Sequence, residues 1–461
     1  MKKNAFTLLE LLGVVIILGV LSLITFPIIL NQIKDAKQGI KDSTKTLIID
    51  AAKDYYEDNT NNYEKTEGIT YCIDIKTLTD ENYLSRNLKN ENLNNIDTSK
   101  KVKLIFHNNK FDYDIKDTCQ NNSLTRNNIE VPIVQENSGL YKSTTDTDRF
   151  IYRGGDPINN WIELNEGTEE TPNYVKYRII SFENDGTIKV IRNDSLDYML
   201  YDNPSQYEVA NRNSTSDTSY CTSDNGCNIW GNQNNTYYNG KLLSELNMNF
   251  YRFYIPLNSD TSELKKYPDS GKITEDSTLN KYLNNTWIST KRIKEYIINH
   301  NFYAGGLYYY ETTIIPKTSF EQELKEEQVY VWNGKIGLIN VSEYVQASTN
   351  QTCTNAFSTY YYNPSYYYDG AQHLTEINEW PCSNTNYTWI FNNTSFYTMN
   401  IGFTNTTPIW RVASTGFLSA NGVKSDFIKP RPAFYLKPSI SLTGEGSEAN
   451  PYRIVGESWK K

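Results

Sequence analysis

The sequence predicts an α+β fold: a long N-terminal helix with a small antiparallel-sheet head, followed by a larger β-rich α+β domain. Three observations predict it. Residues 6–30 are almost wholly apolar. Apolar residues then recur near a 3.6-residue period through residues 31–58. Beyond a polar stretch at 121–138, hairpin signals alternate with short helical patterns up to residue 457. A chain of 461 residues has room for two or three domains.

The chain opens MKKNAFTLLELLGVVIILGVLSLITFPIIL. Its apolar run extends over ~37 Å as a helix at ~1.5 Å per residue, enough to cross a hydrocarbon core ~30 Å thick. One charge interrupts it, Glu10. A carboxylate costs ~2.5–3.5 kcal/mol at the bilayer centre and less near an end, so a plain anchor has no use for it. Lys2 and Lys3 precede the span, and the positive-inside rule puts them in the cytoplasm and everything after Leu30 outside.

This stretch resembles the N-terminus of type IV prepilins and pseudopilins. Their pattern is a short basic leader, a small residue, then Phe-Thr-Leu-hydrophobic-Glu and an apolar helix. Here it reads Lys2-Lys3-Asn4-Ala5, then Phe6-Thr7-Leu8-Leu9-Glu10. The resemblance implies that residues 1–5 are a leader, cut by a membrane prepilin peptidase between Ala5 and Phe6. It also implies N-methylation of the new Phe6 amine. Partners would then be the cytoplasmic membrane, other pilin subunits and the pilus assembly machinery, with Glu10 as the assembly residue. Ala5 stands where the family usually has Gly. Pro27 matches a proline the family often carries.

The chemistry of Glu10 can also be argued from the helix itself. Removal of the leader leaves an ammonium on Phe6, four residues away on the same helix face. Glu10 can neutralise it, or the terminus of a neighbouring subunit. An unpaired charge is expensive in low dielectric, so pairing between subunits would help set their stagger.

Residues 31–58 continue the first helix in this reading, with Pro27 and Gly39 as kink points. Residues 71–75 and a short helix over 76–84 begin a head that ends near residue 120. Residues 102–106 and 111–115 read as a hairpin over Asn108-Asn109-Lys110. Residues 121–138, rich in Asn, read as a linker. The larger domain, 139–457, shows a strong hairpin signal at 177–191 over Asn184-Asp185-Gly186. Helices are expected at 277–288 and 290–299, and late strands at 408–412 and 416–418.

Six cysteines suggest disulfides outside the membrane. Six allow 15 pairings. Nearest-neighbour pairing, Cys72 with Cys119, Cys221 with Cys227 and Cys353 with Cys382, keeps each bond inside one proposed unit. No C-x-x-C occurs, and His107, His300 and His373 lie far apart, so no metal and no cofactor are expected. The net charge of −9 and pI of about 5.2 indicate no nucleic-acid surface. The 37 tyrosines invite an adhesin reading, although codon bias in an AT-rich genome explains them more simply.

The second part looks like the C-terminal domain attached to many prepilin-like proteins of Gram-positive bacteria. The matching pieces are Ile151-Tyr152-Arg153-Gly154, Tyr177-Arg178-Ile179-Ile180, Lys335-Ile336-Gly337-Leu338, Arg431-Pro432-Ala433-Phe434-Tyr435-Leu436-Lys437 and Asn450-Pro451-Tyr452. Their layout is similar to C-type-lectin-like and formylglycine-generating-enzyme-like folds. No G-x-S-x-G, H-E-x-x-H or P-loop is present. Ser262 and Lys265 match S-x-x-K, but its partner motifs are missing. The expectation is a pilin-like surface subunit and not an enzyme. A domain of this size favours a minor or tip subunit that binds an unknown extracellular ligand. A pseudopilin of a secretion or DNA-uptake machine, and a membrane-tethered enzyme, remain the alternatives.

Overall fold

Alternation with a period of two builds much of the chain. In Lys101–His107 every second residue, Val102, Leu104 and Phe106, is buried. The structure is a computed structural model that describes residues 12–13, 15–16, 42–84, 96–143, 149–167, 172–196, 221–222, 226–227, 292–303, 306–307, 331–350, 385–402, 408–414, 416, 418–422 and 428–456. Two compact units divide the chain, Met1–Leu124 and Thr125–Lys461.

In the first unit, residues 42–58 form helix α1, which buries Ile48, Ala51 and Ala52 along one stripe. Strand β1 (Ile69–Asp74) runs into α2 (Ile75–Asp80), and β2 (Lys101–His107) and β3 (Lys110–Lys116) form a hairpin. Asn108 and Asn109 have φ of 49° and 63°, with His107 paired to Lys110 across them. Two successive positive φ values are the mark of a type I′ turn, whose twist matches that of the strands. Glu67 braces the turn by accepting from the Asn108 amide at 3.2 Å. Strand β1 pairs with β2 on one side and, through Ile69 and Thr70, with β4 (Ser123–Arg126) on the other. The boundary between the units falls inside β4.

The second unit starts with β5 (Ile129–Pro132) and β6 (Gly139–Lys142). Then come β7 (Phe150–Arg153), β8 (Trp161–Asn165), β9 (Tyr174–Phe182) and β10 (Ile188–Arg192). The short pair β11 (Cys221–Thr222) and β12 (Gly226–Cys227) follows. Further on are β13 (Ile297–Ile298), β14 (His300–Tyr303), β15 (Gly306–Leu307), β16 (Val331–Gly334) and β17 (Ile336–Gly337). Helix α3 (Val341–Gln346) precedes β18 (Phe396–Gly402), β19 (Pro408–Val412) and β20 (Leu418–Gly422). The chain closes with β21 (Ala433–Leu436), β22 (Leu442–Thr443) and β23 (Arg453–Ile454).

The main sheet runs β13-β21-β10-β9-β7-β6, with β17 also on β21 and β8 also on β9. All four residues of β21 are buried, which makes this late strand central. The β9–β10 hairpin turns at Gly186, whose φ is 84°. Asp185 caps the turn by accepting from the Thr187 amide at 2.9 Å. A second sheet, β15-β18-β19-β20, contains one parallel pair, β15 with β18.

The predicted fold class is corrected by these elements. The described residues are 40% strand and 17% helix, in mainly antiparallel sheets, and no long N-terminal helix is among them. The α+β reading gave helical spacing too much weight. At 290–299 that spacing yields only a 3-10 turn, Arg292–Glu295. The β-branched pair Ile297-Ile298 then joins the sheet opposite Leu436 and Tyr435. The stretch read as a linker, 121–138, contains β4 and β5 instead. Its asparagines are turn residues: Asn127 and Asn128, with φ of 52° and 65°, connect the two strands. The helix expected at 277–288 lies outside the described residues.

Candidate functional site

Arg178 lies in β9 between Tyr177 and Ile179, in a run where every neighbour is buried. An arginine there must bring partners with it. Its Nε donates to Asn160 Oδ1 at 2.6 Å, and its two terminal nitrogens grip Asp156 at 3.1 and 2.6 Å. The guanidinium is 3.8 Å from the Trp161 ring centre and 5.1 Å from that of Trp389. Burial lowers the Arg178 pKa, and the Asp156 carboxylate opposes that shift. The Arg178 side chain is 2% exposed, whereas that of Asp156 is 50% exposed. The buried cation therefore holds a carboxylate rigidly at the surface.

The chain beside Asp156 is packed backbone on backbone. Gly154 has a φ of 109°, and a Cβ there would lie 2.5 Å from Ser138 Cα. At Gly155 a Cβ would lie 2.3 Å from the Thr385 carbonyl oxygen and 2.5 Å from that of Asn386. Asp156 and Tyr387 are thus each one residue from the same backbone contact. Tyr387 is fixed through its carbonyl, which accepts from the Thr349 amide at 2.9 Å, and its neighbour Thr388 bridges to Gly154 and Ser348. Tyr387 itself is 42% exposed. Among the described residues of the larger unit no other large aromatic residue is exposed, while Trp161, Trp389 and Trp410 are buried.

The same unit also gathers a cluster of four charges, of which Glu343, Lys189 and Arg149 are buried and Glu183 is partly exposed. Glu343 caps α3 by accepting from the Asn340 amide at 2.8 Å, and it also meets Lys189 at 2.7 and 2.8 Å and Arg149 at 2.7 Å. Arg149 reaches Glu183 at 3.1 Å. Burial works to raise the Glu343 carboxyl, but Lys189 and Arg149 outweigh it, and its pKa lies below the ordinary value. Burial likewise works to lower Arg149, and Glu183 and Glu343 reverse that. Two cations and two carboxylates close the cluster at zero net charge, which suits a structural role better than a catalytic one.

The structure assembles few of the residues singled out in the sequence. Ala5, Phe6, Glu10, Pro27 and Gly39 lie outside the described residues, as do Cys353, Cys382, His373, Ser262 and Lys265. Cys72 and Cys119 form a disulfide with a Cα–Cα distance of 5.9 Å. The backbones of Cys221 and Cys227 stand opposite each other across β11 and β12. His107 contacts Glu67, and His300 meets Asp185 at 3.1 Å while stacking on Tyr435. Among the described residues no group of three or more His, Cys, Asp or Glu could hold a metal ion, and no helix is long and apolar enough to cross a membrane.

Sequence reasoning missed Asp156, Arg178, Tyr387 and the charge cluster around Glu343. One signal was present for the charges. Lys189 sits inside Ile188-Lys189-Val190-Ile191, and Arg178 inside Tyr177-Arg178-Ile179-Ile180. A charge embedded in an apolar strand calls for a buried partner. Comparison with known proteins adds nothing to this geometry: no family model, no curated protein and no solved structure matches the chain.

Proposed function

We propose that this chain is a type IV pilin-like structural subunit of the bacterial surface, a minor or tip subunit whose larger unit binds an extracellular ligand. In this reading a prepilin peptidase cuts between Ala5 and Phe6, and the new terminus is methylated. The apolar segment 6–30 holds the subunit in the cytoplasmic membrane, with the C-terminal part outside. Glu10 then guides its transfer into a fibre of other pilin subunits by the assembly machinery. The protein has no enzymatic role.

The observation that carries the proposal is the order Lys2-Lys3-Asn4-Ala5-Phe6-Thr7-Leu8-Leu9-Glu10 at the head of an apolar run. A carboxylate five residues into such a run has a use only if a cation meets it, and cleavage before Phe6 creates one. Two structural facts support the display part. The smaller unit carries a disulfide, which suits an oxidising location. The larger unit holds the Asp156 carboxylate at its surface through Arg178 and leaves Tyr387 exposed.

Mass spectrometry of the mature N-terminus, with and without the prepilin peptidase, tests the proposal. A methylated Phe6 that depends on the peptidase is the expected result. An intact Met1 or Lys2 in both strains would overturn it.

A further inference from the structure

Asp156 and Tyr387 each stand one residue from the backbone contact of Gly155 with Asn386, and both are exposed at the surface of the larger unit. We infer that this pair is a subsite for a neutral carbohydrate, with Tyr387 stacking on the apolar face of a sugar ring and Asp156 accepting from its hydroxyl groups. The inference deepens the surface-display reading and rests on it for the source of the ligand.

Three properties of the site select this chemistry. The first is preorganisation. Each Asp156 oxygen takes one hydrogen bond from Arg178, at 3.1 and 2.6 Å. An ionised carboxylate accepts about four hydrogen bonds in all, so acceptor capacity remains on its exposed side. Two tryptophans and Asn160 hold Arg178, so the carboxylate meets a ligand with little entropy left to lose.

The second property is charge. Arg178 neutralises Asp156, so the pair offers acceptor oxygens with little net attraction for a cation. The chain as a whole carries −9, which disfavours anionic polymers. Neutral hydroxyl donors fit what remains. The third is the ring. Tyr387 is large, rigid and amphipathic, and its backbone is pinned to Thr349 at 2.9 Å while the residue stays exposed.

The test is binding of the full chain in detergent to an array of neutral hexose and N-acetylhexosamine oligosaccharides, followed by titration of the best one. Tyr387→Ala should weaken that binding roughly tenfold or more, and Tyr387→Trp should restore it. Asp156→Asn should weaken it as well. Because that variant also loosens Arg178, its fold is checked by tryptophan emission, and Tyr387→Ala, an exposed position, decides if the fold is lost. Absence of binding to every neutral glycan overturns the inference, and so does wild-type affinity in Tyr387→Ala. Binding confined to anionic glycans or to basic peptides overturns it too. The display reading fails separately, on the N-terminal mass, so glycan binding by an unprocessed chain would leave this subsite standing and remove only the fibre.

Discussion

Glu343→Gln removes one charge from the buried cluster and almost no volume. The Gln side chain can still accept from the Asn340 amide, so the cap of α3 survives. What it cannot do is balance Lys189 and Arg149, both within 2.8 Å of Glu343. At an effective dielectric of about 20, a unit pair at 4 Å is worth ~4 kcal/mol, so two cations give ~8 kcal/mol of gross attraction. Relief of the carboxylate's desolvation returns several kcal/mol of that. The balance is a loss of ~3–5 kcal/mol, the range for breaking a buried pair. Lys189→Met in the same chain removes the surplus cation, so the double variant should be more stable than Glu343→Gln alone.

The assay is urea unfolding followed by tryptophan emission. All eight tryptophans lie after Leu124, so the signal reports the larger unit alone. The pH dependence has a definite sign. A carboxyl whose pKa is lower in the native than in the unfolded chain stabilises the fold fully above its unfolded value. That stability disappears as the pH falls through the native value. The Glu343 carboxyl is shifted down from 4.5, so the gap between wild type and Glu343→Gln should be widest at neutral pH and shrink below 4.5. A loss under ~1 kcal/mol at pH 7, or a double variant no better than the single one, would refute the idea that Glu343 is the counter-charge of this core.

Three other outcomes are expected. Replacing Cys72 and Cys119 with Ser opens a loop with a sequence separation of 47, worth ~4 kcal/mol on the chain-entropy model. Hydrogen exchange of residues 69–74 and 101–116 should then speed up by up to ~1000-fold, and unchanged protection would rule the estimate out. Gly155→Ala should displace the 385–387 turn, because its Cβ meets backbone atoms at 2.3 and 2.5 Å; a loss of ~1–3 kcal/mol in the tryptophan assay is expected. At Asn109, with φ of 63°, Gly should hold or raise the stability of the smaller unit, while Val should cost ~1 kcal/mol or more. Hydrogen exchange of the β2–β3 hairpin distinguishes them.

Elements made by local pattern were legible. The alternation Val102, Leu104, Phe106 and the Asn108-Asn109 turn announced the β2–β3 hairpin, because a strand's burial and a turn's φ values depend on residues a few positions apart. The Asn184-Asp185-Gly186 turn did the same for β9 and β10. The fold class was not legible, because Ile293, Tyr296 and Ile297 have helical spacing as well as strand propensity. Only the late strand β21, 139 positions beyond Ile297 in Leu436, decides between them by offering an edge to pair with. The asparagines of 121–138 misled for a related reason. Their polarity fits a linker, but their tolerance of positive φ fits tight turns between strands, and composition cannot separate the two.

The candidate site was hidden by distance and by abundance. Lys189 announces that something acidic must be buried with it, yet its partner is 154 residues away and looks in the sequence like any cap residue of a short helix. Arg178 finds Asp156 only 22 residues back, but the link that matters runs onward through Gly155 to residues 385 and 386, where the chain returns from far away. Tyr387 is one of 37 tyrosines, and nothing in its neighbours marks it as exposed. Its place in the fold is set by the close backbone packing of Gly155 against residues 385 and 386. Gly154 and Gly155 were visible, and so was the charge in the strand. What gives them a joint meaning is their convergence on one patch of surface, and only the fold brings that about.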